Sequence, residues 1–179
     1  ILCIAEKSVV AMRQIEPQLV QEMVKAGCIL VENQQDIQRL VDLTVLPNGT
    51  PNKKFVGKNA SVILDAAHIP YNGDPRLIIM RAPKNHPFAV IEMLMPILPV
   101  VTVDSFDEGL DVCLMLEAGL HHTATMHSLN MERLNRMARK MKTSIFVKNG
   151  PSYAGLGFSG EGTTTFTIAT PTGESTTSA

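Results

Sequence analysis

Net charge is almost missing from this sequence: 16 basic residues stand against 17 acidic ones, a formal charge of −1. No basic cluster appears, which excludes a nucleic-acid surface. Long apolar runs are missing too, and no stretch can span a bilayer. Cysteine is scarce. Cys3, Cys28 and Cys113 are odd in number and lack metal-ligand spacing, so a reducing, cytoplasmic setting fits better than a disulfide scaffold. An initiating methionine and a signal peptide are also missing; the chain opens on Ile1 and reads as cut or processed from something longer. There is no internal repeat. What is there, 179 residues that are 45% hydrophobic and 18% charged, has the composition of one soluble globular domain with room for a core.

Patterning predicts alternating strands and helices. Strands are expected at Ser8 to Met12, Cys28 to Val31, Leu77 to Met80, Val100 to Val103, Thr123 to Met126 and Ser144 to Val147. Between them, one helix starts near Pro17, burying Leu19, Val20, Met23 and Val24 with Gly27 as its stop. Asn33 caps a second, with Ile37, Leu40 and Val41 inward. Leu46 to Lys58, broken by Pro47, Gly49, Pro51 and Gly57, predicts an exposed loop. Asn59 opens a helix with Val62, Ile63 and Ala66 on its inner side. Further helices are expected over Asp107 to Ala118 and Asn130 to Met141. The all-apolar Leu77 to Met80 predicts cover on both faces. Short links in this alternation argue for an α/β fold, a mostly parallel sheet flanked by helices. Thr163 to Ile168 is expected to be extended and the last residues loose.

Several residues can carry chemistry. Cys3 stands in Cys-Ile-Ala-Glu-Lys, ahead of a β-branched run. A thiolate is a strong nucleophile whose pKa a neighbouring cation such as Lys7 can lower. Taken alone, the residue reads more readily as a buried structural thiol. Cys28 and Cys113 sit in apolar patterns and are assigned to the core. Glu92, in Glu-x-x-x-Pro ahead of Pro96, reads alone as a solvated charge. His121, His122 and His127 suggest a metal, but on a strand His121 and His127 would lie roughly 20 Å apart, so structural histidines are expected and no metal. Gly155, Gly157 and Gly160 match G-x-G-x-x-G. A dinucleotide fingerprint should open a helix, whereas the threonines that follow resist one. The glycines therefore predict a loop that lets backbone approach closely, with a plain surface turn as the alternative.

The wider stretches agree with one another. Cys3-Ile4-Ala5-Glu6-Lys7, Glu92-Met93-Leu94-Met95-Pro96, His121-His122-Thr123-Ala124, Phe146-Val147-Lys148-Asn149-Gly150-Pro151 and Gly160-Glu161-Gly162 through Thr170-Pro171-Thr172-Gly173-Glu174 together resemble the CoA-acylating aldehyde dehydrogenases. These include the acetaldehyde and propionaldehyde enzymes of ethanolamine and propanediol breakdown, and the resemblance is closest to the ethanolamine-type acetaldehyde dehydrogenases. It runs from Cys3 to the last residues, in the family's order. One departure is Leu2, where relatives often carry proline.

The resemblance implies that residues 1–179 are a single catalytic domain of the aldehyde dehydrogenase superfamily. The family's preceding nucleotide-binding domain and following oligomerisation strand are not within these residues. It implies Cys3 as the nucleophile that adds to an aldehyde, loses hydride to NAD and holds a thioester, which coenzyme A then takes off. It implies Glu92 and Pro96 at the cofactor, the carboxylate accepting from both ribose hydroxyls. His122 and the Gly155, Gly157 and Gly160 loop are expected to border the site. Implied partners are a small aldehyde, CoA, further copies of the full-length chain and a bacterial microcompartment shell. The domain alone is expected to be inactive. Two alternatives are a hydrolytic aldehyde dehydrogenase, whose general-base glutamate would lie upstream, and a non-catalytic assembly unit.

Overall fold

The structure is a computed structural model that describes residues 2–158. Its contacts divide the chain into two compact units, one ending at Ser105 and one beginning at Phe106.

The first unit is built on a four-stranded sheet. In chain order its elements are β1 (Val9–Met12), α1 (Glu16–Lys25), β2 (Cys28–Leu30), α2 (Gln34–Thr44), α3 (Ala60–Ala66), β3 (Leu77–Arg81), α4 (Pro87–Val90) and β4 (Ile97–Val103). The strands run in the order β1-β4-β3-β2, every pair parallel. Val9 stands opposite Val100, Ile78 opposite Ile97, and Cys28 opposite Leu77. Successive side chains of a strand point to opposite faces, and β3 uses both. Ile78 and Met80 join Leu40, Phe55, Ile63, Leu64 and Phe88 on one face. Ile79 joins Ala11, Val20, Cys28 and Leu98 on the other. Ile78, Ile79 and Met80 are all completely buried, as the unbroken apolar run predicts. Each such side chain contributes on the order of 2 kcal/mol by leaving water.

Helix ends follow their caps. The Asn33 side chain accepts from the Gln35 N–H at 2.8 Å. Gly27, at φ +100°, ends α1 by donating to the Val24 carbonyl.

Three expectations need correction. In α3 the inner stripe is Ala60, Ile63, Leu64 and Ala67, while Val62 is 45% exposed and Ala66 also faces out. Val62-Ile63-Leu64 are three consecutive apolar residues, so helical phase was ambiguous until a neighbour chose the i, i+3, i+4, i+7 set. Val24 of α1 is likewise exposed, with Leu19, Val20 and Met23 turned inward. The loop between α2 and α3 is a loop as expected, but Phe55 within it is 2% exposed and pins it to the core. The four-residue α4 was not foreseen. It forms because Pro87 suits a first turn and the His86 ring accepts from the Phe88 N–H at 3.2 Å.

The second unit contains α5 (Phe106–Glu117), β5 (Thr123–Met126), α6 (Met131–Met141), β6 (Ile145–Lys148) and a 3-10 turn (Ser152–Leu156). β5 and β6 pair in parallel, Thr123 opposite Ile145. Leu110, Ala124, Met137 and Met141 form a small core, against which Cys113, Leu114 and Phe146 pack. Asn130 caps α6 by accepting from the Arg133 N–H at 3.0 Å. Asn149, at φ +55°, makes the turn its Asn-Gly-Pro sequence predicts.

Candidate active site

Two chain segments of the first unit meet in a small open cleft of about 20 Å³. Ala5, Glu6 and Lys7 line it from the segment before β1; Glu92, Met93, Leu94, Met95 and Ile97 line it from the segment leading into β4. Cys3 lies two residues before the first of these. A turn holds it, closed by the Ala5 N–H on the Leu2 carbonyl at 3.0 Å. Ile4, 6% exposed, anchors that turn in the core, so the adjacent Cys3 side chain faces solvent. The plain structural-thiol reading of Cys3 requires burial and is not what the fold provides.

The other two thiols behave differently. Cys28 is buried in β2, and desolvation raises its pKa. Cys113 packs along α5, and desolvation pushes its pKa up to about 11. Burial disfavours the thiolate form of both, which is the nucleophilic form.

Glu92 is an exposed carboxylate on the cleft wall, with Lys7 and Glu6 on the same concavity. A carboxylate can accept from two adjacent hydroxyls at once. Pro96 is buried, and its carbonyl accepts from the Ile78 N–H at 2.9 Å, joining it to the start of β3.

Leu94 was not singled out from sequence. It adopts φ +51°, between the buried Met93 and Met95. A non-glycine residue in the left-handed region is uncommon and marks a constrained site. Nothing in Glu-Met-Leu-Met-Pro signals this, because leucine does not favour that conformation.

In the second unit, His122 is half-buried. Its Nδ1 lies 2.7 Å from Thr123 Oγ1 and its backbone N–H donates to Glu117 Oε1 at 3.2 Å. Its Nε2 is buried and has no hydrogen-bond partner among the described residues. The His121 ring packs at the Met141 carbonyl, 3.2 Å away, a structural use. His121 precedes β5 and His127 follows it, so the two do not share a strand. The described residues hold no group of three His, Cys, Asp or Glu side chains that could bind a metal.

The glycine-rich segment forms a 3-10 turn rather than a plain loop. Gly155 is required there by space: a Cβ would lie 2.3 Å from Ile145 Cγ2. Gly157 caps the turn at φ +95°. The tight contact at Gly155 is made to the Ile145 side chain of β6. Gly160 and the threonine segment Thr163 to Ile168 lie outside the described residues.

An α/β unit that presents an exposed cysteine beside a carboxylate-bearing cleft has the parts of a thiol-dependent enzyme. No family model matches the sequence. Individual proteins do, and the chain is homologous over its whole length to CoA-acylating aldehyde dehydrogenases. It is 52% identical over 178 residues to the propanal dehydrogenase (CoA-propanoylating) of Citrobacter freundii, covering 99% of this chain and 38% of that protein. The structure of Rhodopseudomonas palustris propionaldehyde dehydrogenase with bound propionyl-CoA superposes with TM-score 0.90 at 44% identity, over 96% of this chain and 38% of that one. An engineered glycolyl-CoA reductase with bound NADP+ gives TM-score 0.91 at 43% identity, over 97% of this chain and 39% of that one. A propionaldehyde dehydrogenase from the Clostridium phytofermentans fucose utilisation bacterial microcompartment gives 0.90 at 41% identity, over 97% and 40%. The chain thus spans under two fifths of the length of the first curated relative it matches. No helix among the described residues is long and apolar enough to cross a membrane.

Proposed function

We propose that this chain is the thiol-bearing catalytic part of an acylating aldehyde dehydrogenase, converting an aldehyde, a nicotinamide nucleotide and CoA into acyl-CoA and the reduced nucleotide. The observation that carries the reading is the exposed Cys3 turn running straight into a cleft walled by Glu92.

Cys3 Sγ adds to the aldehyde carbon, forming a C–S bond and a thiohemiacetal. A bound nicotinamide nucleotide would supply the two-electron acceptor for the carbon's hydride, while the thiohemiacetal hydroxyl loses its proton to solvent as the C=O bond re-forms. The acyl group is then held as a thioester on Cys3. Sulfur is suited to both roles, since thiolate is a good nucleophile and a good leaving group. The CoA thiol attacks the acyl carbon, the C–S bond to Cys3 breaks, and the enzyme thiolate is restored. Glu92 binds the ribose hydroxyls of the nucleotide. Pro96 holds the Glu92 segment against β3. Within the second unit, the buried His122 Nε2 has no hydrogen-bond partner among the described residues.

Aldehyde and CoA are the substrates of this reading, and further copies of the chain are its assembly partners. A location inside a bacterial microcompartment follows the relative found in one. Co-sedimentation with shell proteins tests that part alone.

The test of the activity uses the protein expressed from its complete reading frame, supplied with propionaldehyde and NAD. Product analysis should give propionyl-CoA with CoA present, and Cys3→Ser should abolish nucleotide reduction. Free acid formed at the same rate with and without CoA overturns the reading in favour of a hydrolytic enzyme. The 179-residue chain by itself should reduce no nucleotide.

A further inference from the structure

We infer that the left-handed backbone at Leu94, latched by Gly57, is a positioning device that aims the Glu92 carboxylate into the cleft. The inference rests on the proposed ribose role of Glu92.

The geometry begins with the two methionines. Met93 and Met95 are 3% and 5% exposed and both belong to the core. They line the cleft together with Glu92 and Leu94, which are less buried. Two buried anchors flanking Leu94 leave it little freedom, and its φ of +51° bends the chain between Glu92 and the strand that starts at Ile97. An extended Leu94 would send either Glu92 or Met95 elsewhere.

A second contact holds the bend from outside. The Leu94 carbonyl accepts from the Gly57 N–H at 3.0 Å. Gly57 belongs to the loop between α2 and α3, and that loop is firmly tied. Asn52 donates from its backbone to the Thr44 carbonyl at 2.7 Å and from its side chain to the Leu43 carbonyl at 2.9 Å. Phe55 is buried in the core two residues before the latch. Gly57 itself stands at φ +70°, a conformation L side chains rarely adopt. Two left-handed residues from distant segments therefore meet at one hydrogen bond, beside the carboxylate that the reaction requires. Strain held in place by surrounding structure is characteristic of functional sites, and here its effect is to orient Glu92.

The test separates backbone from side chain. In the protein expressed from its complete reading frame, Leu94→Val retains an apolar side chain but is β-branched and resists the left-handed region. It should raise the KM for the nicotinamide nucleotide about tenfold while kcat and the aldehyde KM stay within about twofold. Leu94→Asn removes the leucine but tolerates the conformation, and it should recover most of that loss. Gly57→Ala adds a methyl that meets no atom within 4 Å, so it perturbs the backbone alone. It should raise the same KM about threefold. Thermal melting of each variant checks folding, and Gly57→Ala decides the matter if Leu94→Val does not fold.

Asparagine as damaging as valine would show a side-chain contact and overturn the inference. So would an unchanged nucleotide KM in both Leu94→Val and Gly57→Ala. Glu92→Gln run in parallel distinguishes the two levels. If it raises the nucleotide KM while the backbone variants do not, only this inference falls; if it has no effect, the ribose assignment falls and takes this inference with it.

Discussion

Alkylation by iodoacetamide at pH 8 offers a direct reading of how the fold treats its three thiols. The perturbation is the reagent, with or without denaturant. Cys113, with a pKa of about 11, is ionised to only about one part in a thousand at pH 8. A free thiol of pKa about 8.5 is ionised to roughly a quarter under the same conditions. Folding should therefore slow Cys113 by about two orders of magnitude through ionisation alone, and burial of the sulfur adds to this. Cys28, buried and likewise pushed up by desolvation, should be slowed in the same direction. Cys3 faces solvent on its turn, open to the reagent. Peptide mapping by mass spectrometry should show Cys3 labelled at least tenfold ahead of both others in the folded protein, and the three converging in guanidinium. A Cys3 rate equal to that of Cys28 or Cys113 in the folded state would refute the assignment of Cys3 as the accessible nucleophile.

Other expectations are as direct. Gly155→Ala forces a methyl to within 2.3 Å of Ile145 Cγ2; overpacking of this kind should cost about 1–3 kcal/mol by urea titration, and an unchanged midpoint would show that the turn can shift freely. Arg81 holds the buried Glu16 at 2.8 Å and the exposed Glu32 at 2.7 Å. Arg81→Ala leaves Glu16 uncompensated, and because the arginine is partly exposed the loss should be about 2 kcal/mol rather than the full value for a buried pair. Burial lowers the His86 pKa below 6.5, and the neutral ring caps α4. The depressed folded pKa means this contribution is whole above pH 6.5 and is lost as pH falls through the folded value. In His86→Asn, which caps without titrating in this range, chemical denaturation should show that part of the acid dependence removed.

The strands of both units, the capping roles of Asn33 and Gly27, and the two-sided burial of β3 were legible in the chain. Each depends on near neighbours: alternation, a side chain reaching a nearby N–H, or an unbroken apolar run. The catalytic candidate Cys3 was legible mainly through family resemblance, because a cysteine's burial cannot be read from its neighbours. Its exposure depends on Ile4 finding the core instead.

Tertiary structure decided what local pattern left degenerate. In α3, three successive apolar residues permitted more than one inner face, and packing selected Ile63 and Leu64 over Val62. Phe55 sits in a segment whose prolines and glycines predict exposure, yet the core claims its ring. The conformation of Leu94 is the clearest case. No local preference of leucine produces φ +51°; two buried methionines and a glycine 37 positions away in the chain impose it together. Sequence determines the elements because their causes lie within a few residues, whereas the meeting of the Cys3 segment, Glu92 and the Gly57 loop in one unit depends on a parallel sheet assembled from strands far apart in the chain.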